Sequence, residues 1–448
     1  MASEWPRRTF GDLMSAGELE IGDGYRAKND ELATSGTGLI FLRAGHVTDS
    51  HIDFGGVERF VTANDAGFGA KVSQVGDVIV TTKGNSTGRV AFVSKAMPRF
   101  VYSPHLSYWR ATSTSSVRQD FLRAWSRSGE FARQVHALSR STDMAPYLSL
   151  RDQRRLEITI PPEHVQALIG QMADALNDRI DLLRQTNATL EAIAQVLFKS
   201  WFVDFDPVRA KAEGREPEGM DSVTAALFPS EFEESELGLI PKGWAVDEIG
   251  KVATCVGGAT PSTKEPRFWD DPVHHWVTPK DLSGLQSPVL TDTDRKVSQA
   301  GLAKISSGLL PVGTVLLSSR APIGYLAIAH IPTAINQGFI AMLPGGKLPP
   351  SYLLFWTKLS MDAIKQKANG STFMEISKSA FRPMELVVAP PQVVSEFDSI
   401  GKPLLDRIAE NEKTRRQLAE IRDTLLPRLI SGKLRLPEAE KSIEDAVA

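Results

Sequence analysis

The sequence predicts an α+β chain made by tandem duplication. Two α/β globular units are each followed by a long helix, and the helices pack antiparallel as a coiled-coil spacer in a pseudo-twofold dumbbell. Three observations predict this: an apolar seam of helical period, its recurrence 228 residues later, and a shared order of strand and turn motifs ahead of each seam.

The first seam runs Ile169, Ala173, Leu176, Ile180, Leu183, Asn187, Leu190, Ala194, Leu197, Trp201, with steps alternating between four and three residues. That is the a/d pattern of a coiled coil. Adding 228 gives Phe397, Gly401, Leu404, Ile408, Asn411, Arg415, Leu418, Arg422, Leu425, Leu429. A lone amphipathic helix is not stable in water, so each seam must bury against something. Two helices of roughly 50 Å, at 1.5 Å per residue, meet that need by packing on each other. Parallel packing in a homodimer is the alternative. The polar seam positions Asn187, Arg415 and Arg422 either set register, face another protein, or lie at the seam edge with their heads in water.

The segments ahead of the seams match in order. Trp5 and Trp244 each open a unit and are followed five residues later by an apolar residue and glycine, Phe10-Gly11 and Ile249-Gly250. Leu39-Ile-Phe-Leu-Arg-Ala-Gly-His-Val reads as a strand entering a turn, with His275-Trp-Val-Thr-Pro-Lys-Asp-Leu in the equivalent place. Val75-Gly-Asp-Val-Ile-Val-Thr-Thr-Lys aligns with Val312-Gly-Thr-Val-Leu-Leu-Ser-Ser-Arg, and Gly88-Arg-Val-Ala-Phe-Val with Gly324-Tyr-Leu-Ala-Ile-Ala. These runs predict a β-hairpin in each unit. One amphipathic helix is expected next, over 121–138 and 352–368, then a Ser-Thr loop and a strand ended by Pro-Pro, which offers no donor to a ladder. The predicted domains are globular unit 1–162, long helix 163–203, acidic connector 204–242, globular unit 243–391, long helix 392–432 and tail 433–448. The connector has the composition of a linker.

Composition narrows the function. At 42% hydrophobic and 23% charged residues the chain reads as soluble and globular. No apolar run approaches the ~18 residues of a membrane span, and the first residues lack a secretory signal, so a cytoplasmic protein with no membrane partner is expected. A single cysteine, Cys255, excludes a disulfide framework and sits in an apolar stretch as a packing residue. The net charge of −3 conceals a division. Residues 1–160 hold 20 Lys/Arg against 17 Asp/Glu, residues 244–390 hold 14 against 11, and residues 204–243 hold 4 against 10. The globular units are the relatively basic parts, which permits nucleic-acid binding.

Catalytic motifs are not in evidence. There is no phosphate loop, and Ile160-Pro-Pro-Glu and Ala389-Pro-Pro-Gln lack the acid and aromatic of an amino-methyltransferase motif. Asp53 and Asp77 near Lys83 suggest a nuclease-like acid/lysine group, but Asp77 aligns with Thr314 and reads better as a turn residue. His274 and His275 are adjacent and point to opposite sides of a strand, which opposes a metal site. A non-catalytic chain with no metal or cofactor of its own is expected. A rigid spacer with two related, non-identical heads suits duplex DNA read at two places one helical turn apart.

The duplication, the Trp starts, the Val-Gly-Asp-Val-Ile-Val hairpin, the Ser-Thr loop and the repeated helix resemble the specificity (S) subunits of type I restriction-modification systems. So do Leu237-Gly-Leu-Ile-Pro-Lys-Gly-Trp244 and Leu425-Leu-Pro-Arg-Leu-Ile-Ser-Gly-Lys-Leu. The resemblance covers roughly residues 1–436. It implies two target-recognition domains that each read half of an asymmetric bipartite DNA site, and helices that set the gap and dock two methyltransferase (modification) subunits. S-adenosylmethionine, ATP and Mg would belong to the partner subunits, including separate restriction/translocase subunits. The competing reading is a coiled-coil scaffold whose heads bind protein partners.

Arg/Lys read guanine and Asn/Gln read adenine in the major groove, so polar residues on loops recurring in both units are the candidates. The hairpin tips supply Lys83, Asn85, Ser86 and Arg89, with Ser319 and Arg320 opposite. The Ser-Thr loops supply Arg140 and Ser141, with Asn369, Ser371 and Thr372 opposite. The turns after the first strands supply Arg43 and His46, with Lys280 opposite, and Asn336 and Gln337 complete the set. Many of these are expected to hold phosphate and carry no sequence information.

Overall fold

A computed structural model of the chain describes residues 5–48, 51–62, 67–139, 145–320, 322–370, 374–430, 432 and 434. Two helices dominate the element order, Glu163–Phe202 and Pro391–Ile430, each of 40 residues. The chain divides into two compact units, one of Met1–Ile180 with Gln417–Ala448 and one of Asp181–Arg416. Both long helices are therefore shared between the units. Among the described residues, no helix is long and apolar enough to cross a membrane.

In the first unit an antiparallel sheet has the order Leu19–Asp23, Leu106–Ala111, Val78–Thr81, Val90–Phe92. A second sheet has the order Leu32–Ala33, Glu58–Phe60, Ile40–Leu42, Phe100–Tyr102, and its last two strands are parallel. The predicted hairpin forms, with Val78 opposite Phe92. Phe10 packs its ring 5.0 Å from Trp109 and 5.3 Å from Trp125. Ile169 and Ala173 of the first long helix share that core with Leu425, Leu426, Leu429 and Ile430 of the second.

The second unit repeats the plan. Its five-stranded sheet runs Cys255–Gly257, Phe339–Met342, Val315–Ser318, Leu326–Ala329, Val289–Leu290. A three-stranded sheet runs Arg295–Val297, His274–Val277, Thr333–Ile335, and again its last two strands are parallel. Each unit also ties an early strand to its last: Arg7–Thr9 pairs with Glu157–Thr159, and Ala245–Glu248 with Glu385–Val388.

The seam lies where the periodicity places it over Ile169, Ala173, Leu176, Ile180 and Leu183; near the end of the first helix Phe198 and Phe202 are buried beside Trp201, and Leu197 is half-buried. In the second unit Phe198 and Phe202 of the first helix meet Phe397 of the second at 5.5 and 5.3 Å. The end of one helix thus packs on the start of the other here, and the start of the first packs on the end of the second in the first unit. The helices run antiparallel in both. Each buried aromatic is worth about 1.5–3 kcal/mol over exposure. The polar seam positions form a bonded layer. Asn187 Nδ2 donates to Glu412 Oε1 at 2.9 Å, Asn411 Nδ2 donates to Asn187 Oδ1 at 2.8 Å, and Arg415 Nε donates to Glu412 Oε2 at 2.9 Å. Arg422, in the first unit, donates to Asn177 Oδ1 at 3.0 Å and to Asp423 Oδ1 at 2.8 Å. Both arginines are engaged at the seam edge.

Two expectations change. The single helix ahead of each Ser-Thr loop is two helices, Gln119–Ser126 with Gly129–Ser139, and Pro350–Leu359 with Met361–Gln366. In the first unit Ser128 starts the second helix by accepting the Phe131 amide at 3.2 Å, a cap that outweighs continuing the helix. The acidic connector is also folded. It forms helices Asp206–Ala212 and Ser222–Ala226 and a hairpin of Phe232–Ser235 with Gly238–Pro241. Among its apolar residues Phe205, Val208, Phe228 and Ile240 join the core around Trp244. Average composition concealed them.

Two glycines occupy equivalent crowded places. A Cβ on Gly24 would lie 2.0 Å from the Ser103 carbonyl oxygen, and one on Gly258 would lie 1.9 Å from that of Ile335. Gly258→Ala should cost the second unit on the order of 1–3 kcal/mol through backbone displacement, read as a fall in its urea-unfolding midpoint. An unchanged midpoint would show that the neighbouring turn yields freely.

Glu18 fixes the first strand pair to the sheet: Arg8 Nη1 donates to it at 2.6 Å and the Ser116 amide at 2.7 Å. Burial alone would raise its pKa, but the Ser116 and Arg8 hydrogen bonds outweigh burial and hold it at about 2, against an ordinary 4.5. Its folded pKa is depressed, so its contribution is complete above about pH 4.5 and fades as pH falls toward 2. Glu18→Gln should therefore narrow its stability deficit from wild type across that window. A deficit that is constant with pH would contradict the assignment.

Candidate nucleic-acid interface

In each unit the described parts of the candidate loops, distant in sequence, are drawn together by hydrogen bonds to the main chain. In the first unit the Thr82 amide donates to His105 at 2.9 Å, Gly84 to Pro146 at 2.9 Å and Leu148 to Thr82 at 2.8 Å. The hairpin tip is thus clasped by the segment following the Ser-Thr loop. Arg89 Nη1 reaches the Val47 carbonyl at 3.5 Å, which brings the tip to the turn that carries His46. In the second unit the Ser319 amide donates to Gly338 at 2.8 Å, Ile376 to Ser319 at 3.0 Å and Asn336 to Val277 at 3.0 Å. The tip, the Asn336-Gln337 turn, the Asn369 segment and the Lys280 turn therefore form one surface. The same bridge closes both: Lys83 pairs with Tyr147, and Arg320 with Glu375.

The tip conformation follows from its residues. Gly84 and Gly88 take φ of 80° and 90°, left-handed values that favour glycine. Thr87 Oγ1 donates to the Gly84 and Pro146 carbonyls at 2.7 and 3.0 Å, and Thr81 Oγ1 donates to the Ser86 carbonyl. Lys83 and Asn85 are exposed, while Ser86 and Arg89 are half-buried. Opposite them, Arg320 is part-exposed, and Ser319 is 3% exposed with both backbone groups bonded. Ser319 is a framework residue, and its hydroxyl is not on the surface. Asn336 uses its side-chain oxygen to accept the Gly338 amide at 2.8 Å, Gln337 accepts from Thr260 Oγ1, and Asn369 exchanges backbone bonds with Glu375. Arg140, Ser141, Ser371 and Thr372 lie outside the described residues.

The structure adds partners that the sequence did not announce. Arg43 pairs with Glu58 at 2.5 Å, Lys280 with Asp294 at 3.1 Å and Arg320 with Glu375 at 3.7 Å. Such exposed pairs are worth about 0–1 kcal/mol, so a phosphate can replace the carboxylate at little cost. His46 accepts the Arg43 amide on Nδ1 at 3.1 Å, and burial lowers its pKa, so it serves the turn as a neutral ring. Tyr147, exposed beside Lys83, is a further surface group. Its repeat counterpart is Glu375, so no recurring residue type pointed to it.

At the base of the first hairpin, the far end of its strand from the tip, lies a buried ion pair. Asp77 is 2% exposed and accepts from Arg110 Nε at 2.6 Å, Arg110 Nη2 at 2.9 Å and Tyr102 OH at 2.5 Å. It also accepts the Gln74 amide at 2.8 Å, the turn role expected of it. Burial first, and then the Asp77 charge, push the Tyr102 hydroxyl well above its ordinary pKa, so it remains a donor. Cys255, raised to about 11 by burial, is an unreactive thiol. No cluster of three or more potential metal ligands occurs among the described residues. His274 and His275 instead contact Gln299 at 2.7 Å and Thr293 at 3.0 Å.

Residues 241–402 match the family model described as the type I restriction modification DNA specificity domain. Over those residues the chain is similar to a type I specificity domain. It is also similar along nearly its whole length to the type I restriction enzyme HindI specificity subunit of Haemophilus influenzae. The two are 26% identical over 442 residues, which is 88% of this chain and 94% of the relative. The MjaIX specificity subunit of Methanocaldococcus jannaschii is 35% identical over 195 residues, 43% of this chain and 45% of that one. A solved S subunit of a type I restriction-modification system from M. genitalium has a TM-score of 0.56 at 14% identity, covering 95% of this chain and 96% of that one. That last likeness is one of fold. The resemblance read from the sequence holds: the match to the family model spans the second head and the start of its long helix, and the first head repeats that head's plan.

Removing Asp77 would leave the Arg110 guanidinium charged and buried. Asp77→Ala should therefore destabilise the first unit by about 3–5 kcal/mol. Asp77→Ala with Arg110→Met should recover a large part of that in the same thermal-unfolding assay. Equal losses for the single and double variants would mean that the pair is not the source.

Proposed function

We propose that the chain is the DNA sequence-recognition subunit of a type I restriction-modification complex, with each head reading one half of an asymmetric bipartite duplex site. The observation that carries this reading is that in each unit the hairpin tip, the segment flanking the Ser-Thr loop and the turn after a parallel strand are gathered together, on matching frameworks with different side chains. Matching frameworks suit a common ligand class, and different side chains suit different half-sites. The exposed cations there, Lys83 and the weakly paired Arg43, Lys280 and Arg320, suit a polyanion.

The long helices would hold the gap between half-sites and dock two methyltransferase subunits. In the second unit the outer face of the first long helix carries exposed Leu182, Ile193 and Val196, with Val203 just beyond its end. Such apolar exposure on an otherwise polar helix suits a protein partner. The chain would be non-catalytic by itself, with S-adenosylmethionine, ATP and Mg acting on the partner and restriction/translocase subunits, in the cytoplasm.

Mapping methylated adenines in host DNA with and without the gene tests this. One asymmetric two-part motif should lose its methylation when the gene is removed, and an unchanged methylation map would sink the reading.

A further inference from the structure

A cleft of about 660 Å³ in the first unit joins the hairpin tip to the second long helix. It is lined by Asn85 of the tip, by the apolar Val90, Phe131 and Val135, and by Arg127, Arg422 and Asp423. The two arginines are 295 positions apart in sequence, and neither belongs to a recurring loop. They converge on one neutral acceptor: Arg127 Nη1 donates to Asn177 Oδ1 at 2.7 Å and Arg422 Nη1 to the same oxygen at 3.0 Å. Arg127 is further held over the Phe92 ring at 4.5 Å, and Arg422 by Asp423 at 2.8 Å.

We propose that this cleft seats the sugar–phosphate backbone of DNA passing the first hairpin tip, with Arg127 and Arg422 as phosphate-contacting positioning residues. The proposal rests on the DNA-recognition reading above. A deoxyribose-phosphate chain alternates an apolar sugar with an anionic phosphate. The cleft offers both kinds of partner, with Val90, Phe131 and Val135 and two guanidinium groups in one lining. Base reading needs a side chain free to meet an edge in the groove. These guanidiniums are pinned by Asn177, Phe92 and Asp423, which fits a fixed, sequence-independent contact better. Arg422 is paired with the exposed Asp423 carboxylate, which a phosphate can replace at little cost. Arg422 stands on the long helix, so a phosphate held there is registered against the spacer as well as against the head.

The test uses the full chain in its methyltransferase complex and a duplex bearing the mapped motif, with affinity measured against salt concentration. Each phosphate contact contributes about 0.9 to the slope of log K against log salt. Arg127→Gln with Arg422→Gln should lower the slope by about 1.8 and weaken matched and mismatched duplexes equally. Arg127→Lys with Arg422→Lys should keep the slope. Asn177→Ala removes the shared acceptor but keeps both charges, and should also keep it. An unchanged slope in the glutamine double variant would overturn the proposal. So would a comparable fall in the lysine variant or in Asn177→Ala, because the effect would then come from the fold. If the unaltered complex bound duplex without salt dependence, the DNA-recognition reading would fail, and the proposal with it.

Discussion

Everything in the molecule is subordinate to the burial of two 40-residue amphipathic helices. Neither has an apolar stripe that water would tolerate, and each finds its cover in the opposite end of the other. In the second unit the cover is aromatic, Phe198 and Phe202 against Phe397. In the first it is aliphatic, Ile169 and Ala173 with Leu425, Leu429 and Ile430. The buried layer of Asn187, Asn411 and Glu412 limits how the helices can slide, since any other register would strand these groups without partners. Each head is then carried on a helix pair, with its last strand running directly into a long helix.

Upon that support the two heads share a backbone and differ in chemistry. Both hold a hairpin, a parallel strand pair behind it, and a bridge from the tip to the loop after the helices. In the first unit the bridge joins a lysine to a tyrosine, and in the second an arginine to a glutamate. The crowded glycines Gly24 and Gly258 mark the same close approach of two chain segments in both. The framework is conserved between copies by main-chain bonds that any side chain permits, which leaves the exposed positions free to diverge.

Much of this was legible in the sequence because it is periodic or repeated. The seam, the hairpins and the strand ends at Pro-Pro each leave a pattern that survives comparison of the two halves. Features present once left none. The Asp77–Arg110 pair has no second copy: strand register sets Thr314 and Leu343 at the equivalent places. The folded connector was hidden because its buried apolar residues are scattered among carboxylates without a period. The carboxylates on Arg43 and Lys280 lie 14 or 15 positions away, at separations that only the folded chain defines. Ser319 recurs in sequence for a reason of backbone geometry, and recurrence alone does not separate that from exposure.

The pairing of Arg43, Lys280 and Arg320 with neighbouring carboxylates also bears on how such a surface would search a long polyanion. A paired cation presents a dipole to a distant phosphate, and a dipole's field decays faster than a charge's. The heads would thus exert little pull until contact, when a phosphate can take the carboxylate's place. Encounters at wrong positions would be brief, and residence would depend on local fit more than on long-range attraction.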